Sequence, residues 1–135
     1  MGPTERKGAA AVKIQESAED YLEAILVLKN EKGLVHSIDV ARRLDFSKPS
    51  VSRAVKLLRE EGHLTMSADG ALELTDTGRE IAERIYERHR LLTLWFTELG
   101  VSGEQAAKDA CRVEHDISAE TFQRLKEHFG GSEKI

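Results

Sequence analysis

Ser47-Lys48-Pro49-Ser50 opens an amphipathic run in which Val51, Val55 and Leu58 recur at four and three residues, and Gly62 closes it. Proline in a first helical turn lacks only an amide proton that has no partner there, so the spacing predicts a helix from Ser47 to about Glu61. Two short extended runs follow, around His63 to Met66 and Ala71 to Leu74, with Asp69-Gly70 at the tip of a hairpin. A short helix precedes, opened by Ser37 with Asp39 and carried through Val40, Ala41 and Leu44, and Asp45-Phe46 connects it tightly to Ser47. Before that, Ser17 with Glu19 and Asp20 starts a first helix over about 17–31, its Leu22, Ile25, Leu26 and Leu28 facing a core. Helix, short helix, Ser-capped helix and hairpin, in that order, form a winged helix-turn-helix over residues 17–75, a fold that sets its last helix in the DNA major groove. Residues 1–16 read as a frayed or loosely attached arm.

The remaining half is helical. Thr75 caps a long helix reaching about Leu99, in which Ile81, Ile85, His89, Leu92, Phe96 and Leu99 share one stripe before Gly100 stops it. A fifth helix from about Gly103 to His115 buries Ala106, Ala110 and Val113, and a sixth from Ser118 buries Phe122, Leu125 and Phe129. Trp95 and the phenylalanines are expected in the core. The fold class is therefore mainly α: a winged helix-turn-helix DNA-binding domain followed by an all-helical domain over 76–135.

The 135 residues are 40% hydrophobic and 33% charged, which gives a core but excludes a large multidomain enzyme. The one cysteine, Cys111, cannot form an internal disulfide, which points to a reducing compartment. No apolar run approaches the roughly 18 to 20 residues of a bilayer span, and the opening MGPTERKGAAAVK lacks a signal peptide's apolar stretch. A cytoplasmic protein with no membrane partner is expected. The formal charge of −4 taken alone argues against nucleic acid, but its distribution argues for it. Arg42, Arg43, Lys48, Arg53, Lys56 and Arg59 crowd the two central helices, whose acids, Glu60 and Glu61 among them, gather at a helix end. Phosphate oxygens take such cations, hydroxyls and helix N-terminal amides. Lys48, Ser50 and Arg53 are placed to reach base edges or nearby phosphates, Arg42, Arg43 and Lys56 to hold backbone, and Ser47, Pro49 and Ser52 complete the candidate DNA-binding set. The alternative is that these cations merely solvate helix faces.

A second cluster carries different chemistry. Cys111, Glu114 and His115 fall at i, i+3 and i+4 and converge on one helix face. Thiolate, carboxylate and imidazole within about one turn suit a first-row divalent metal and do not match a closed structural zinc site of Cys and His. Asp20 and Glu23 are likewise three apart on the first helix, and His89 lies on an apolar stripe where an imidazole wants a partner. Taken singly, each has a plainer reading: Asp20 complementing a helix dipole, His89 a hydrogen-bonded core residue, Cys111 a small buried hydrophobe.

Four stretches, Glu19-Asp-Tyr-Leu-Glu-Ala-Ile25, Ser47-Lys-Pro-Ser-Val-Ser-Arg53, Leu74-Thr-Asp-Thr-Gly78 and Ala110-Cys-Arg-Val-Glu-His-Asp-Ile-Ser118, are supported by Glu87-Arg-His-Arg-Leu-Leu92. Together they resemble the diphtheria toxin repressor family of metal-dependent transcriptional repressors, which includes iron- and manganese-dependent regulators. The resemblance implies a winged helix joined to a helical dimerisation domain, with metal bound between them by Asp20, Glu23, His89, Cys111, Glu114 and His115. The Asp-x-x-Glu pair on the first helix matches the manganese branch, whereas Cys111 matches the iron branch, where manganese regulators carry Glu. Thr93 and Ala107 stand where iron-responsive members place an ancillary site, and the chain is expected to have the two-domain form without a third, SH3-like domain.

The function expected is a metal-dependent repressor with Mn²⁺ or Fe²⁺ as corepressor, one or two ions per subunit, other divalent transition metals also being able to bind. It would act as a homodimer on a palindromic double-stranded operator of metal-uptake genes, and no catalytic residue is assigned. A metal-independent winged-helix regulator is the other reading. A small metallohydrolase with Glu114 as base leaves the Ser47 helix and the hairpin unexplained.

Overall fold

The computed structural model describes residues 2–130, with side chains from residue 17 onward. Among the described residues are six helices and one two-stranded sheet: α1 (Gly2–Lys32), α2 (Ser37–Leu44), α3 (Lys48–Glu60), β1 (Leu64–Met66), β2 (Leu72–Leu74), α4 (Asp76–Glu98), α5 (Gly103–Val113) and α6 (Ala119–His128). The chain divides into two units, Met1–Glu83 and Arg84–Ile135. None of the described helices is long and apolar enough to cross a membrane.

Helix α1 does not begin at Ser17 but continues back to Gly2. The intervening stretch is rich in Ala, Glu, Lys, Arg and Gln, and Gly8, costing about 1 kcal/mol in a helix, is too weak a break to stop it. How the expected arm packs lies outside the described residues, because the side chains before residue 17 do. At the other end Gly33, with φ +84°, ends the helix.

In the first unit Leu22 and Ile25 of α1, Val40 of α2, Val51, Val55 and Leu58 of α3, and Leu64 and Leu72 of the hairpin form one buried cluster. Burying each large aliphatic side chain contributes about 1.5–3 kcal/mol before the entropy of ordering it. The cap of α2 is one residue earlier than expected: the His36 amide donates to Asp39 Oδ2 at 2.9 Å, and Ser37 is already helical. Asp45 takes a left-handed φ of +57° and turns the chain from α2 into α3. Ser47 then caps α3, its Oγ accepting from the Ser50 amide at 3.2 Å, with Pro49 in the first turn as its chemistry requires. Strands β1 and β2 pair antiparallel in the register Leu64↔Leu74, Thr65↔Glu73 and Met66↔Leu72. The Leu72 amide donates to the Val35 carbonyl at 2.8 Å, which ties the hairpin to the loop before α2.

The start of α4 is locked to the end of α3. Thr75 Oγ1 donates to the Gly62 carbonyl at 2.7 Å and accepts from the Gly78 amide at 3.2 Å, so one side chain caps α4 and closes the turn after α3. Thr77 adds a bond to the Gly62 carbonyl at 3.2 Å and meets His63 Nδ1 at 3.0 Å. A Cβ on Gly78 would stand 2.1 Å from the His63 carbonyl oxygen, so only glycine permits this approach.

In the second unit Leu91, Leu92 and Trp95 of α4, Ala110 of α5 and Phe122 of α6 form the core. Trp95 stacks on Phe129 with ring centroids 5.2 Å apart. Ser102 and Ser118 cap α5 and α6 by accepting from the Gln105 and Thr121 amides. Two apolar residues expected inside are outside. Leu99 is 70% exposed because α4 ends at Glu98 and the chain turns away at Gly100. Phe46 is 45% exposed, since it sits in the tight turn before Ser47 and meets Tyr21 edge-on, at 5.7 Å.

Candidate metal centre and nucleic-acid interface

Helix α3 presents one face to the core and one to solvent. Val51, Val55 and Leu58 are buried, whereas Lys48, Pro49, Ser52, Arg53, Lys56 and Arg59 are exposed, with no acid in the first turn. Ser50 is not exposed as expected. It is half-buried within the cap, accepting from Ser47 Oγ at 2.8 Å and from the Arg53 guanidinium at 3.5 Å. Arg42 and Arg43 are exposed on α2, and Arg43 pairs with Glu31 at 3.5 Å. A groove lined by Lys56, Arg59, Glu60, Leu64, Thr65 and Met66 runs from α3 to the hairpin. The Lys56/Arg59 spacing on one helix face is the signal that would have added Arg59 to the candidates. Tyr21 of α1 is buried, which pushes its phenol above the usual range, with the positive Arg53 pulling the other way.

The proposed ligands divide between the units. In the first, Asp20 and Glu23 lie one turn apart on α1 and are half-buried beside the buried Tyr21, Leu22 and Ala24. In the second, the structure brings His89, Glu114 and His115 together. Glu114 is completely buried; its Oε2 lies 3.0 Å from His89 Nδ1 and its Oε1 3.5 Å from His115 Nε2. Cys111 is exposed, one turn before Glu114, with its Sγ within 4.8 Å of a Glu114 carboxylate oxygen. Helix α5 ends at Val113, not at His115 as expected. Glu114 is its C-cap and His115 lies in the following turn, yet Glu114 keeps helical dihedrals and so the three-residue relation to Cys111 survives.

A carboxylate taken wholly out of water costs several kcal/mol unless positive charge or strong hydrogen bonds compensate it. Two imidazoles and a thiol side chain, each close to the one buried Glu114 carboxylate, are the nitrogen, oxygen and sulfur donors that a divalent transition metal takes.

Residues 13–72 match the iron dependent repressor N-terminal DNA binding domain, and residues 75–134 match the iron dependent repressor metal binding and dimerisation domain. The HTH-type transcriptional regulator MntR of Geobacillus kaustophilus is 35% identical over 109 residues, covering 81% of this chain and 77% of that protein. The chain belongs to the iron-dependent repressor family. That family is one of metal-dependent transcriptional regulators, not enzymes. Among solved structures, a manganese-dependent transcriptional repressor in complex with manganese is similar with a TM-score of 0.76 at 30% identity, covering 84% of this chain. The crystal structure of T. acidophilum IdeR gives 0.72 at 30% identity over 83% of it. This chain spans about half the length of those two solved chains, 52% and 53%.

One polar residue of the second unit escaped the sequence reading. Arg88 is buried, and its Nη1 donates to the carbonyls of Glu114 and Ile117 at 3.0 and 2.9 Å. Its only trace in the sequence is its place beside His89 in Arg88-His89-Arg90.

Proposed function

We propose that this chain is a homodimeric, metal-responsive repressor whose corepressor is Mn²⁺ or Fe²⁺ and whose targets are genes for metal uptake. In this reading residues 17–75 bind DNA, residues 76–135 hold metal and dimerise, and Asp20, Glu23, His89, Cys111, Glu114 and His115 are the ligands. The observation that carries it is Glu114, a fully buried carboxylate facing two imidazoles within the stretch that matches a metal binding and dimerisation domain. A bound divalent ion supplies the positive charge that such a set of donors shares.

The first unit supplies the coupling to DNA. Asp20 and Glu23 sit on the same helix whose Leu22 and Ile25 pack in one core with Val51 and Val55 of α3. Holding α1 in place therefore holds α3, and Lys48, Ser52, Arg53 and Lys56 are presented in one orientation. A ligand that favours this orientation shifts the population toward it. Two copies related by a two-fold axis present two such helices, so the operator is a palindrome with half-sites one helical turn, or a multiple of it, apart. Cys111 weights the ligand set toward softer metals than a carboxylate would, while Asp20 and Glu23 keep an oxygen-rich side that accepts Mn²⁺.

Selection of binding sites from random duplex DNA in the presence of Mn²⁺, followed by mobility-shift titration of the selected duplex, tests this. Chelation should abolish the shift, and Glu114→Ala and His115→Ala should reproduce the chelated result with metal present. DNA binding that is unchanged by chelation and by both substitutions would refute the metal-responsive reading.

A further inference from the structure

Glu114 is the C-cap of α5, its amide still donating to the Ala110 carbonyl at 2.9 Å, and His115 lies in the turn that follows, past the helix. The last carbonyls of a helix have no partner within it; here the carbonyl of the C-cap Glu114 and that of Ile117, just before the Ser118 cap of α6, both accept from one nitrogen. That nitrogen is Nη1 of Arg88, which carries two hydrogens, one for each carbonyl. Arg88 is the residue before His89 on α4, so the group that clamps the turn and the imidazole that faces Glu114 issue from neighbouring backbone positions. Its guanidinium lies 5.4 Å from the ring centre of Phe122, so α6 closes over it. The side chain is only 8% exposed.

We infer that Arg88 is a positioning residue for the metal half-site of the second unit: its two bonds set where Glu114 and His115 stand relative to His89. A guanidinium stays protonated and offers a metal no lone pair, so it acts through the turn. The inference rests on the metal reading above. Outer partners that orient metal ligands are worth about 10- to 100-fold in affinity when removed, and Arg88 holds the carbonyl of the peptide that joins Glu114 to His115. Lysine at this position retains the charge but not the planar fork, and methionine retains most of the apolar stem against Phe122 but no donor.

The test uses the whole chain with Mn²⁺ and Co²⁺ as probes. Arg88→Met should weaken Mn²⁺ binding at least about tenfold by direct titration, and should change the ligand-field absorption of the Co²⁺ complex. Arg88→Lys should fall between Arg88→Met and the wild type. Circular dichroism of the metal-free variants establishes folding; where Arg88→Met does not fold, Arg88→Lys carries the test with the same two readouts. A variant that melts earlier yet binds Mn²⁺ with wild-type affinity and shows the wild-type Co²⁺ spectrum would mean that Arg88 only supports the fold, and the inference fails. A wild-type chain that binds neither ion overturns the metal reading and this inference with it, whereas tight wild-type binding with unaltered variants overturns this inference alone.

Discussion

At the scale of single residues, two side-chain environments leave no room for substitution, for opposite reasons. Gly78 is constrained by space: a methyl group there would collide with the backbone carbonyl of His63, which cannot swing aside as a side-chain tip would. Gly78→Ala should therefore lower stability by about 3 kcal/mol, toward the upper end for overpacking, seen as a lower midpoint in denaturant at an unchanged slope. Glu114 is constrained by chemistry. Glu114→Gln preserves its shape but removes the charge, and should weaken Mn²⁺ binding more than about a hundredfold, beyond what loss of an outer partner costs; equilibrium dialysis against Mn²⁺ measures it. The sequence named Glu114 because it lies three residues from a cysteine and next to a histidine. It did not name Arg88, because an arginine that bonds backbone carbonyls leaves no side-chain pattern to read. Gly78 was visible only as part of a Thr-Asp-Thr-Gly stretch, since a close approach of two backbone segments distant in sequence has no local signature.

At the scale of elements, turn and cap chemistry was the readable part. Ser47 with Pro49, Asp69-Gly70, Thr75 and Ser118 each stand where their hydrogen-bonding capacity is used. The misplaced boundaries have local physical causes: α1 continues because nothing strong interrupts it, and α5 ends at Val113 because a turn toward α6 intervenes. The cap of α2 carries a pH dependence. Asp39 accepts from Lys32 and from the His36 amide, and the Lys32 bond is the larger cause holding its carboxyl below the usual carboxylate range. A depressed folded-state pKa adds stability that is fully present above the unfolded value near 4 and is lost as pH falls through the lower folded value. Asp39→Asn keeps an oxygen for the His36 amide but cannot titrate. Its thermal midpoint should fall less steeply than that of the wild type as pH drops below about 4, as read by circular dichroism; parallel curves would remove Asp39 from the acid response.

At the scale of the whole molecule, the formal charge of −4 is a poor guide to what the chain binds. The exposed cations of α3 and the hairpin groove are the relevant field, and it is local. Replacing Lys48 and Lys56 by Ala should weaken DNA binding across all sequences and flatten the salt dependence by about one unit of slope for each phosphate no longer neutralised. Mobility shifts at several salt concentrations report that slope, and a variant that changes sequence preference instead would reassign the residue from reading the backbone to reading a base. The buried Trp95, stacked on Phe129, has a consequence of another kind. It is the chain's single tryptophan and it lies in the second unit, so intrinsic fluorescence follows the melting of that unit while helical dichroism follows both. Overlaying the two curves measures whether the halves of the molecule lose structure in one cooperative event or in succession, without introducing any label.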